Sequence, residues 1–302
     1  HVRSTPQTSN APLVPEHSMK PILVTGGSGF IGRQVLRSLQ KQPQPLRLLV
    51  RPGQGSSLSI REGIDEVIES GDLFSEPLDR MCQITSGIDT IVHVAWYAEH
   101  GKYLQSEKNL DCLIGTLQLA KAASLQQVRR FVGVGSCFEF RFGPEPLAPD
   151  SPLAPETPYA SAKVAAYYGL LHWLALHQIS FAWCRLFYLF GEGENPKRLV
   201  PYLHQQLAQG HPVDLTSGNQ VRDFIDVREA GRQIAQISLS DRQGPQNICT
   251  GKGITVRQLA LDVAQQYGRP DLLRFGARPD NLTDPPFVVG IPSIPTADPS
   301  TF

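Results

Sequence analysis

Two short segments of the chain carry residue types whose spacing has a chemical meaning. Tyr159 and Lys163 lie four residues apart, so on a helix they share one face. An ammonium beside a phenol favours the phenolate and lowers the pKa of the tyrosine, which then serves as an acid and base near neutral pH. The glycine-rich stretch Thr25–Gly32 can bring backbone N–H groups up to a pyrophosphate. Together the two segments predict a bound dinucleotide, a proton relay and hydride transfer.

The glycine-rich stretch has the context that a dinucleotide-binding turn requires. The apolar run Pro21–Thr25 enters it as a buried parallel strand would. Apolar residues then recur at helical spacing at Val35, Leu36 and Leu39, and Leu46–Val50 is predicted to be a second strand. The stretch is therefore the first turn of a βαβ unit. The residues predicted to contact the cofactor here are Gly26, Gly29, Phe30, Ile31 and Gly32.

Strand-like and helix-like segments alternate through the first two-thirds of the chain. This alternation predicts the α/β class, with a doubly wound parallel sheet of the Rossmann type. Ligands bind such sheets at the carboxyl ends of the strands. Gly26, Ala95 and Ser136 all follow predicted strands directly, so we expect them to lie along one edge of the sheet.

The domain boundaries are predicted from the point where this alternation loosens. Residues 1–18 are rich in Pro, Ser, Thr and Asn and are predicted to be a disordered leader. Residues 19–186 form the predicted dinucleotide-binding domain. Residues 187–302 are predicted to be mainly a smaller substrate-binding lobe, with 220–240 returning to the first domain. The segment 280–302 is Pro-rich and irregular at its start, and no role is predicted for it.

Composition excludes several classes of partner and site. Hydrophobic residues make up 41% and charged residues 19% of the 302 residues, and the formal net charge is zero. No global field therefore indicates a nucleic acid or a membrane as the partner, and no apolar stretch approaches the length of a membrane span. The five cysteines are scattered, which is typical of reduced thiols in a cytoplasmic protein. The spacing of cysteines and histidines predicts no metal site.

Several motifs follow one another in the order and spacing of a known family. They are Thr25–Gly32, Gly71–Leu73, Asn109 with Gly115 and Thr116, Ser136, Tyr159 with Lys163, Arg185–Phe187 leading to Gly191, and Arg222–Val227. Over about Lys20–Gln266 the sequence resembles an extended short-chain dehydrogenase/reductase. The resemblance is to the NAD-dependent epimerase/dehydratase type, which acts on nucleotide sugars.

The resemblance implies a role for each residue of the catalytic group. Tyr159 would exchange a proton with a hydroxyl or carbonyl oxygen of the sugar, and Ser136 would hydrogen-bond the same oxygen. Lys163 would bind the ribose of the nicotinamide and hold down the pKa of the tyrosine. Asp72, followed by Leu73, is similar to the aspartate that contacts the adenine in this family.

The resemblance also implies a substrate site, with one departure from the family. Arg222 would contact the diphosphate of the substrate, a task suited to a planar donor with two prongs. The family has a phosphate-contacting Asn at the position that Tyr188 occupies here. Tyr188 is predicted to touch the substrate, and the departure leaves a substrate other than a nucleotide sugar open.

The end of the second predicted strand decides between NAD and NADP. An acidic residue there accepts hydrogen bonds from the ribose 2′-hydroxyl, whereas an arginine accommodates a 2′-phosphate. Arg51 follows this strand directly, and no Asp or Glu occurs between it and Glu62. Arg51 therefore favours NADP(H) as the cofactor, with NAD as the alternative.

Local residues separate the reactions that this family performs. Sugar 4,6-dehydratases carry an Asp–Glu acid/base pair after the serine position, where this chain has Cys137 and Phe138. Phe138 cannot move a proton, so elimination of water is not expected. Epimerase-reductases of the GDP-fucose type have a Cys and a His where this chain has Phe138 and Gly193. Cys137 lies one residue away, and on a strand its side chain would face the other side of the sheet.

The reactions that remain need only hydride transfer and the group Ser136, Tyr159 and Lys163. The expected activity is NADPH-dependent reduction of a nucleotide-linked 4-keto-6-deoxysugar, with Tyr159 as the proton donor. One alternative is a nucleotide-sugar 4-epimerase with tightly bound NAD. A second alternative is a non-catalytic NADP-binding sensor or scaffold, although relatives of that kind have usually lost the tyrosine or the lysine.

Two long segments bear on the oligomeric state. Tyr103–Ser124 and Pro158–Gln178 are predicted helices, and in many relatives the corresponding helices form a four-helix dimer interface. The apolar residues available for such an interface include Leu170, Leu171, Leu174 and Leu176. A homodimer is therefore expected.

Overall fold

The structure of the protein is a computed structural model, and it describes residues 19–54 and 63–297. The predicted leader 1–18 and Glu62 lie outside the described residues. Up to residue 186 the elements are β1 (Ile22–Thr25), α1 (Phe30–Leu39), β2 (Leu46–Val50), β3 (Glu66–Glu69), α2 (Leu78–Thr85), β4 (Thr90–His93), α3 (Lys108–Leu125), β5 (Arg130–Ser136), α4 (Pro158–Leu176) and β6 (Ser180–Leu186). They continue with β7 (Tyr188–Phe190), α5 (Leu199–Ala208), β8 (Val213–Leu215), β9 (Val221–Asp226), α6 (Val227–Ser238), β10 (Gly244–Ile248), β11 (Gly253–Thr255), α7 (Val256–Gln266), β12 (Leu273–Phe275) and β13 (Phe287–Val288). Within these ranges no helix is long and apolar enough to cross a membrane.

Seven parallel strands form the main sheet, in the order β10-β6-β5-β4-β1-β2-β3. Helices α1 and α6 cover one face, where Leu36 and Ile234 are fully buried. Helices α2, α3 and α4 cover the other face around Ile84, Leu119 and Leu170. Because both faces are buried, the central strands are continuous apolar runs. The predicted α/β class with a doubly wound parallel sheet is confirmed.

The chain after β6 builds a smaller lobe and also returns to the main sheet. Strands β7, β9, β11 and β13 form a second sheet. The pair β8–β12 packs with α5 and α7 around Leu203, Leu207 and Val263. Helix α6 packs against α1, and β10 extends the main sheet beside β6. Within 220–240, helix α6 therefore packs on the main sheet and β9 lies in the second sheet, while β10 joins the main sheet from beyond residue 240.

Two local predictions differ from the structure. The helix predicted from Tyr103 begins at Lys108, because Tyr103–Gln105 forms a separate 3₁₀ turn. Strand β5 ends at Ser136, whose side chain caps a 3₁₀ turn over the next three residues. Cys137 therefore lies on a turn, and the strand rule used to orient its side chain does not apply to it.

His93, at the end of β4, is a polar side chain inside the core. It is 3% exposed. Its Nδ1 lies 2.8 Å from the hydroxyl of Thr25, and its Nε2 lies 2.9 Å from the hydroxyl of Thr116. Burial, together with the charge of Lys163, lowers the pKa of His93 to about 3. The imidazole is therefore neutral at physiological pH and links β1, β4 and α3 through two hydroxyl groups.

We expect the free energy of unfolding to fall as the pH drops below about 6.5, because the unfolded histidine binds a proton there and the folded one does not. The folded pKa is about 3, so the loss continues down to that pH, at up to about 1.4 kcal/mol per pH unit. Urea unfolding at a series of pH values measures it in the parent, in His93→Gln and in His172→Gln, a change at an exposed position.

H172Q should keep the parental slope between about pH 6 and 5, where carboxyl groups contribute little. H93Q should show a smaller slope in the same window. Equal slopes in H93Q and the parent would contradict a neutral, buried His93.

Candidate active site

The turn between β1 and α1 brings its backbone against the end of β4. Gly26 has a φ of +72°, and an added Cβ would lie 2.6 Å from the backbone nitrogen of Ala95, so only glycine fits. Gly32 packs even more closely, against the carbonyl group of Gly26. Gly29 donates its N–H to the Gly26 carbonyl oxygen over 3.0 Å and directly precedes α1. The first N–H groups of a helix have no partner within it, so this turn presents donors suited to a pyrophosphate.

A cavity of about 1290 Å³ runs along the carboxyl ends of the main-sheet strands. The predicted site residues in its wall are Gly26, Gly29, Phe30, Ile31, Arg51, Asp72, Leu73, Ala95, Ser136, Tyr159 and Tyr188. Lys163 lies behind the wall, in contact with the wall residue Trp96. Two other predicted site residues, Gly32 and Arg222, do not line the cavity. One cavity therefore joins the glycine-rich turn to Ser136 and Tyr159.

One end of the cavity is formed by the segments after β2 and β3. Arg51 directly follows β2 and is exposed at this end. The carboxylate of Asp72 accepts a hydrogen bond from the N–H of Phe74 over 3.1 Å and caps a 3₁₀ turn over Leu73–Ser75. Leu73 is 9% exposed and packs into the core beneath the wall. Asp72 therefore has a local structural role as well as a place in the wall.

Tyr159 and Lys163 lie one turn apart at the start of α4. The hydroxyl of Thr157 accepts a backbone N–H of the first turn over 3.1 Å, which fixes where this helix begins. The Nζ of Lys163 donates to the carbonyl oxygen of Val134 over 2.6 Å. The same Nζ lies 3.6 Å from the ring centroid of Trp96 and 5.8 Å from the ring centroid of Tyr159. The ammonium is therefore clamped between β5 and an aromatic face, close to the tyrosine.

Ser136 ends β5 beside Tyr159. Its hydroxyl accepts the N–H of Phe138 over 3.2 Å, and its own backbone N–H donates to the carboxylate of Glu139 over 2.8 Å. A hydrogen bond with the Ser136 side chain is one of the influences that lower the pKa of Tyr159, so the two hydroxyl groups adjoin. The structure therefore brings Ser136, Tyr159 and Lys163 together at one place.

Burial controls the protonation of this tyrosine and lysine. It raises the pKa of Tyr159 far above its ordinary value, and the neighbouring Tyr103 adds to the rise. Burial also lowers the pKa of Lys163 to about 7, against an opposing effect of the Glu139 carboxylate. The expectation that Lys163 lowers the pKa of Tyr159 is therefore wrong for this structure, because desolvation dominates. Tyr159 is protonated at neutral pH, as a proton donor must be.

Arg222 is held away from the cavity wall by its own contacts. It is 3% exposed, and its Nη2 lies 2.8 Å from a carboxylate oxygen of Asp284. Its Nη1 donates to the carbonyl oxygen of Val221 over 2.8 Å. Its guanidinium lies 5.1 Å from the ring centroid of Tyr188. Arg222 thus supports a wall residue from behind, and the structure does not bring it to the cavity with the other predicted residues.

Three further residues of the cavity wall carry functional groups that the sequence analysis missed. Tyr103 packs edge-on against Tyr159 with ring centroids 4.9 Å apart, and Trp96 does so at 6.5 Å. Arg198 lines the cavity just before α5, and its charge opposes the rise that burial causes in the pKa of Tyr103. No motif marks these residues, because they lie on irregular segments. Among the described residues, no group of three His, Cys, Asp or Glu side chains could hold a metal ion.

The sequence model of the NAD dependent epimerase/dehydratase family matches residues 22–249. This chain belongs to that family. The match includes the glycine-rich turn, Ser136, Tyr159 and Lys163. It confirms the predicted resemblance to an extended short-chain dehydrogenase/reductase, and with it the prediction that the protein is an enzyme.

Relatives within this fold carry different named activities. The dTDP-6-deoxy-L-talose 4-dehydrogenase (NAD(+)) of Aggregatibacter actinomycetemcomitans is 22% identical over 262 residues, which cover 85% of this chain and 95% of the relative. The dTDP-glucose 4,6-dehydratase of Streptomyces niveus is 27% identical over 275 residues, which cover 82% and 77%. A solved structure of UDP-N-acetylglucosamine 4-epimerase from Methanobrevibacter ruminantium M1, in complex with UDP-N-acetylmuramic acid, is similar with a TM-score of 0.78 at 22% identity. That likeness covers 91% of this chain and 90% of the other.

We expect the affinity for a nicotinamide cofactor such as NADPH to weaken as the pH rises through about 7, the pKa of Lys163. In the role that the family resemblance implies for it, the protonated lysine offers a charged donor to the ribose below that pH, and above that pH the charge is lost. Fluorescence titrations across this range compare the parent with Lys163→Met and with Lys121→Met, an exposed lysine on α3. K121M should follow the parent, and K163M should bind more weakly with a flatter profile. A parental pH dependence in K163M would contradict this role.

Proposed function

We propose that the protein is an NADPH-dependent ketoreductase that reduces the 4-keto group of a nucleotide-linked 6-deoxysugar. The observation that carries the proposal is a protonated Tyr159 beside Ser136 and Lys163, in the wall of the cavity that also contains the glycine-rich turn. A bound nicotinamide cofactor supplies the hydride. The residues of this chain supply the proton and hold the ketone.

The proton transfer follows from the protonation of the three side chains. Ser136 and Tyr159 donate hydrogen bonds to the ketone oxygen. As a hydride reaches the carbonyl carbon, the oxygen becomes negative and takes the proton of Tyr159, which leaves a phenolate. The ammonium of Lys163 stabilises this negative charge, which develops in a desolvated place. Solvent then returns a proton to the tyrosine, so that one hydride and one proton have converted the ketone to an alcohol.

The surroundings of Ser136 support a reaction confined to one carbon. Phe138 lines the cavity at the position where dehydratases carry an acid, and it has no proton to move. Cys137 is 2% exposed, and burial raises the pKa of its thiol to about 12, so it is no base at neutral pH. The name of the Aggregatibacter relative, a 4-dehydrogenase of a dTDP-linked 6-deoxysugar, agrees with redox chemistry at carbon 4.

We infer that Arg198, rather than Arg222, meets the anionic part of the nucleotide sugar. Both arginines have an ion-pair partner, Asp284 for Arg222 and Glu194 for Arg198. Only Arg198 lines the cavity, together with Tyr188. The cavity of about 1290 Å³ exceeds the roughly 300–1,000 Å³ of ordinary small-molecule pockets. It therefore has room for a dinucleotide and a second ligand.

A nucleotide-sugar 4-epimerase with retained NAD is the second candidate. The same three side chains suffice to oxidise and then reduce carbon 4, and the fold is similar to that of the Methanobrevibacter epimerase. A non-catalytic sensor is less well supported, because Tyr159 and Lys163 are both present and lie together at the cavity.

The identity of the cofactor separates these candidates. We expect the purified protein to release no bound NAD in mass spectrometry and, once stripped, to bind NADPH more tightly than NADH. Arg51 lines the cavity directly after β2, where an arginine can accommodate a 2′-phosphate. Arg51→Ala should remove this preference by weakening NADPH binding about 10-fold or more, a loss typical of a charged hydrogen bond.

Lys41→Ala removes an exposed cation that lies outside the cavity wall and should leave both affinities at the parental values. Tightly bound NAD in the purified protein would favour the epimerase and contradict the proposal. Equal affinities of the parent for NADH and NADPH would contradict the role of Arg51.

Tyr159→Phe should lower kcat for NADPH-dependent ketone reduction by about 10²–10⁴-fold, because it removes the general acid. The affinity for NADPH should stay within about 2-fold, since the ring and the helix are retained. Tyr168→Phe, a change on the exposed face of α4, should match the parent in both measurements. A Y159F variant with parental kcat would exclude this tyrosine as the proton donor.

We also propose that the protein is a cytoplasmic homodimer. Of the predicted interface residues, Leu170 and Leu174 are unavailable, because they are buried in the core against the main sheet. The exposed apolar side chains on α3 and α4 are Leu110, Ile114, Leu117, Leu125, Tyr168, Trp173 and Leu176.

Sedimentation of the parent at micromolar concentration should show a dimer. The double variant Leu110→Glu with Ile114→Glu should sediment as a monomer, because charges are disfavoured in an apolar interface. A monomeric parent would contradict this proposal.

A further inference from the structure

Glu139 is a fully buried carboxylate in the turn after Ser136, and the proposed mechanism does not use it. Its Oε1 accepts the backbone N–H of Ser136 over 2.8 Å. Its two oxygens accept the Nε1–H of Trp183 over 3.0 and 3.1 Å. Its Oε2 accepts the Nε–H of Arg185 over 2.7 Å. One carboxylate therefore ties the end of β5 and the turn after it to two side chains of β6.

The partner charge is as deeply buried as the carboxylate. Arg185 is 1% exposed, and its Nη1 donates to the carbonyl oxygen of Pro149 over 2.9 Å. Its guanidinium lies 4.9 Å from the ring centroid of Phe140 and 4.7 Å from that of Tyr167. Both ions of a buried pair lose their hydration, so an apolar pair of similar volume is often at least as stable. A contribution to stability therefore does not explain why Glu139 and Arg185 are both charged. Orientation of the turn after Ser136 explains it better.

The carboxylate determines how Ser136 can donate. A serine hydroxyl has one proton and two acceptor positions, and that of Ser136 already accepts the N–H of Phe138 over 3.2 Å. Because Glu139 holds the backbone N–H of Ser136, the turn that presents the Phe138 N–H stays in place. The hydroxyl proton of Ser136 can therefore be donated toward Tyr159 or toward a ligand in the cavity. A side chain at Gly135 would overlap both Glu139 and Trp183, so the network also dictates the residue before the serine.

The same carboxylate acts on Lys163 through its charge. Glu139 raises the pKa of Lys163 against the effect of burial. The other groups around this lysine are Cys112 of α3, His93 of β4, Trp96 after β4, Trp183 of β6 and Tyr159 of its own helix. Among these groups the cysteine and the tyrosine are neutral because burial raises their pKa, and the histidine is neutral because burial lowers its pKa. Glu139 therefore supplies the negative charge beside the lysine.

We propose that Glu139 is a positioning residue of the active site. Anchored by Arg185 and Trp183, its carboxylate orients the hydroxyl of Ser136 and keeps a fixed negative charge beside Lys163. This inference rests on the proposed function, because it assigns Ser136 and Lys163 their parts in ketone reduction. Glu139 itself touches neither substrate nor cofactor and acts through those two residues.

The test replaces both members of the ion pair at once, because a lone buried charge would strongly destabilise the fold. Glu139→Met with Arg185→Met (E139M/R185M) removes the hydrogen bonds and the charge. Glu139→Gln with Arg185→Gln (E139Q/R185Q) removes the charge but keeps an acceptor for the N–H of Ser136. Asp223→Asn is the matched control, since Asp223 is a fully buried carboxylate of the lobe that accepts backbone N–H groups near Thr250 and Gly290.

The readouts are thermal unfolding, NADPH affinity, the pH profile of ketone reduction and hydrogen exchange of the Ser136 amide. E139M/R185M should bind NADPH no more weakly than K163M does, because it lowers the charge on Lys163 but keeps the side chain. It should lose about 100-fold in kcat, as expected when a catalytic group is slightly misplaced. Its Ser136 amide should exchange faster. E139Q/R185Q should keep the amide protected while the alkaline limb of its pH profile moves to lower pH, because Lys163 has lost the charge that raises its pKa. D223N should keep the parental kcat, profile and amide exchange.

A parental kcat and pH profile in E139M/R185M would overturn the inference. An equal loss of kcat in D223N, at an equal loss of melting temperature, would also overturn it, because Glu139 would then be merely structural. Amide exchange is measured without substrate and remains informative if no 4-keto nucleotide sugar is reduced. In that case faster exchange in E139M/R185M supports the inference while the proposed function fails, and parental exchange overturns the inference as well.

Discussion

The parallel pairing of β1, β4 and β5 is the constraint on which the whole site depends. Their hydrogen-bonded ladders run side by side, so the three strands reach the same edge of the sheet together. At that edge Gly26 meets Ala95 so closely that no side chain fits between them. Ser136 leaves the neighbouring strand at the same edge, where Tyr159 enters on α4. The glycine-rich turn and the residues proposed for proton transfer therefore share one cavity because of the strand order and the position of α4.

Desolvation is the second constraint, and it determines the protonation states of Tyr159 and Lys163. Buried in the same region, Tyr159 keeps its proton and Lys163 becomes easier to deprotonate. Without a nearby negative charge, burial in a medium of low dielectric constant would lower the pKa of Lys163 further. The carboxylate of Glu139 opposes that tendency from a position that the substrate does not reach. The same burial therefore keeps Tyr159 protonated and lowers the pKa of Lys163, and Glu139 partly offsets the effect on the lysine.

The parts of the fold that could be predicted are those set by local pattern. The glycines between β1 and α1, the apolar runs and the Tyr159/Lys163 spacing all follow from neighbouring residues, and each was found where expected. The pairing of Glu139 with Arg185 joins residues 46 positions apart, and the partner of Arg222 comes from an irregular late segment. Such contacts depend on packing between distant elements. The one sequence clue was a Glu and an Arg placed among apolar residues in two strand-end segments, which signals a buried pair.

The central claim is that hydride from NADPH ends on carbon 4 of the sugar. The direct measurement uses NADPH that carries deuterium at the transferred position, incubated with a 4-keto-6-deoxysugar nucleotide and followed by mass spectrometry of the product. The account predicts an alcohol that carries the deuterium at carbon 4, formed in step with free NADP⁺. Failure to transfer deuterium to the ketone, together with inversion at carbon 4 of a nucleotide sugar that carries a 4-hydroxyl while the cofactor stays bound to the protein, would contradict it.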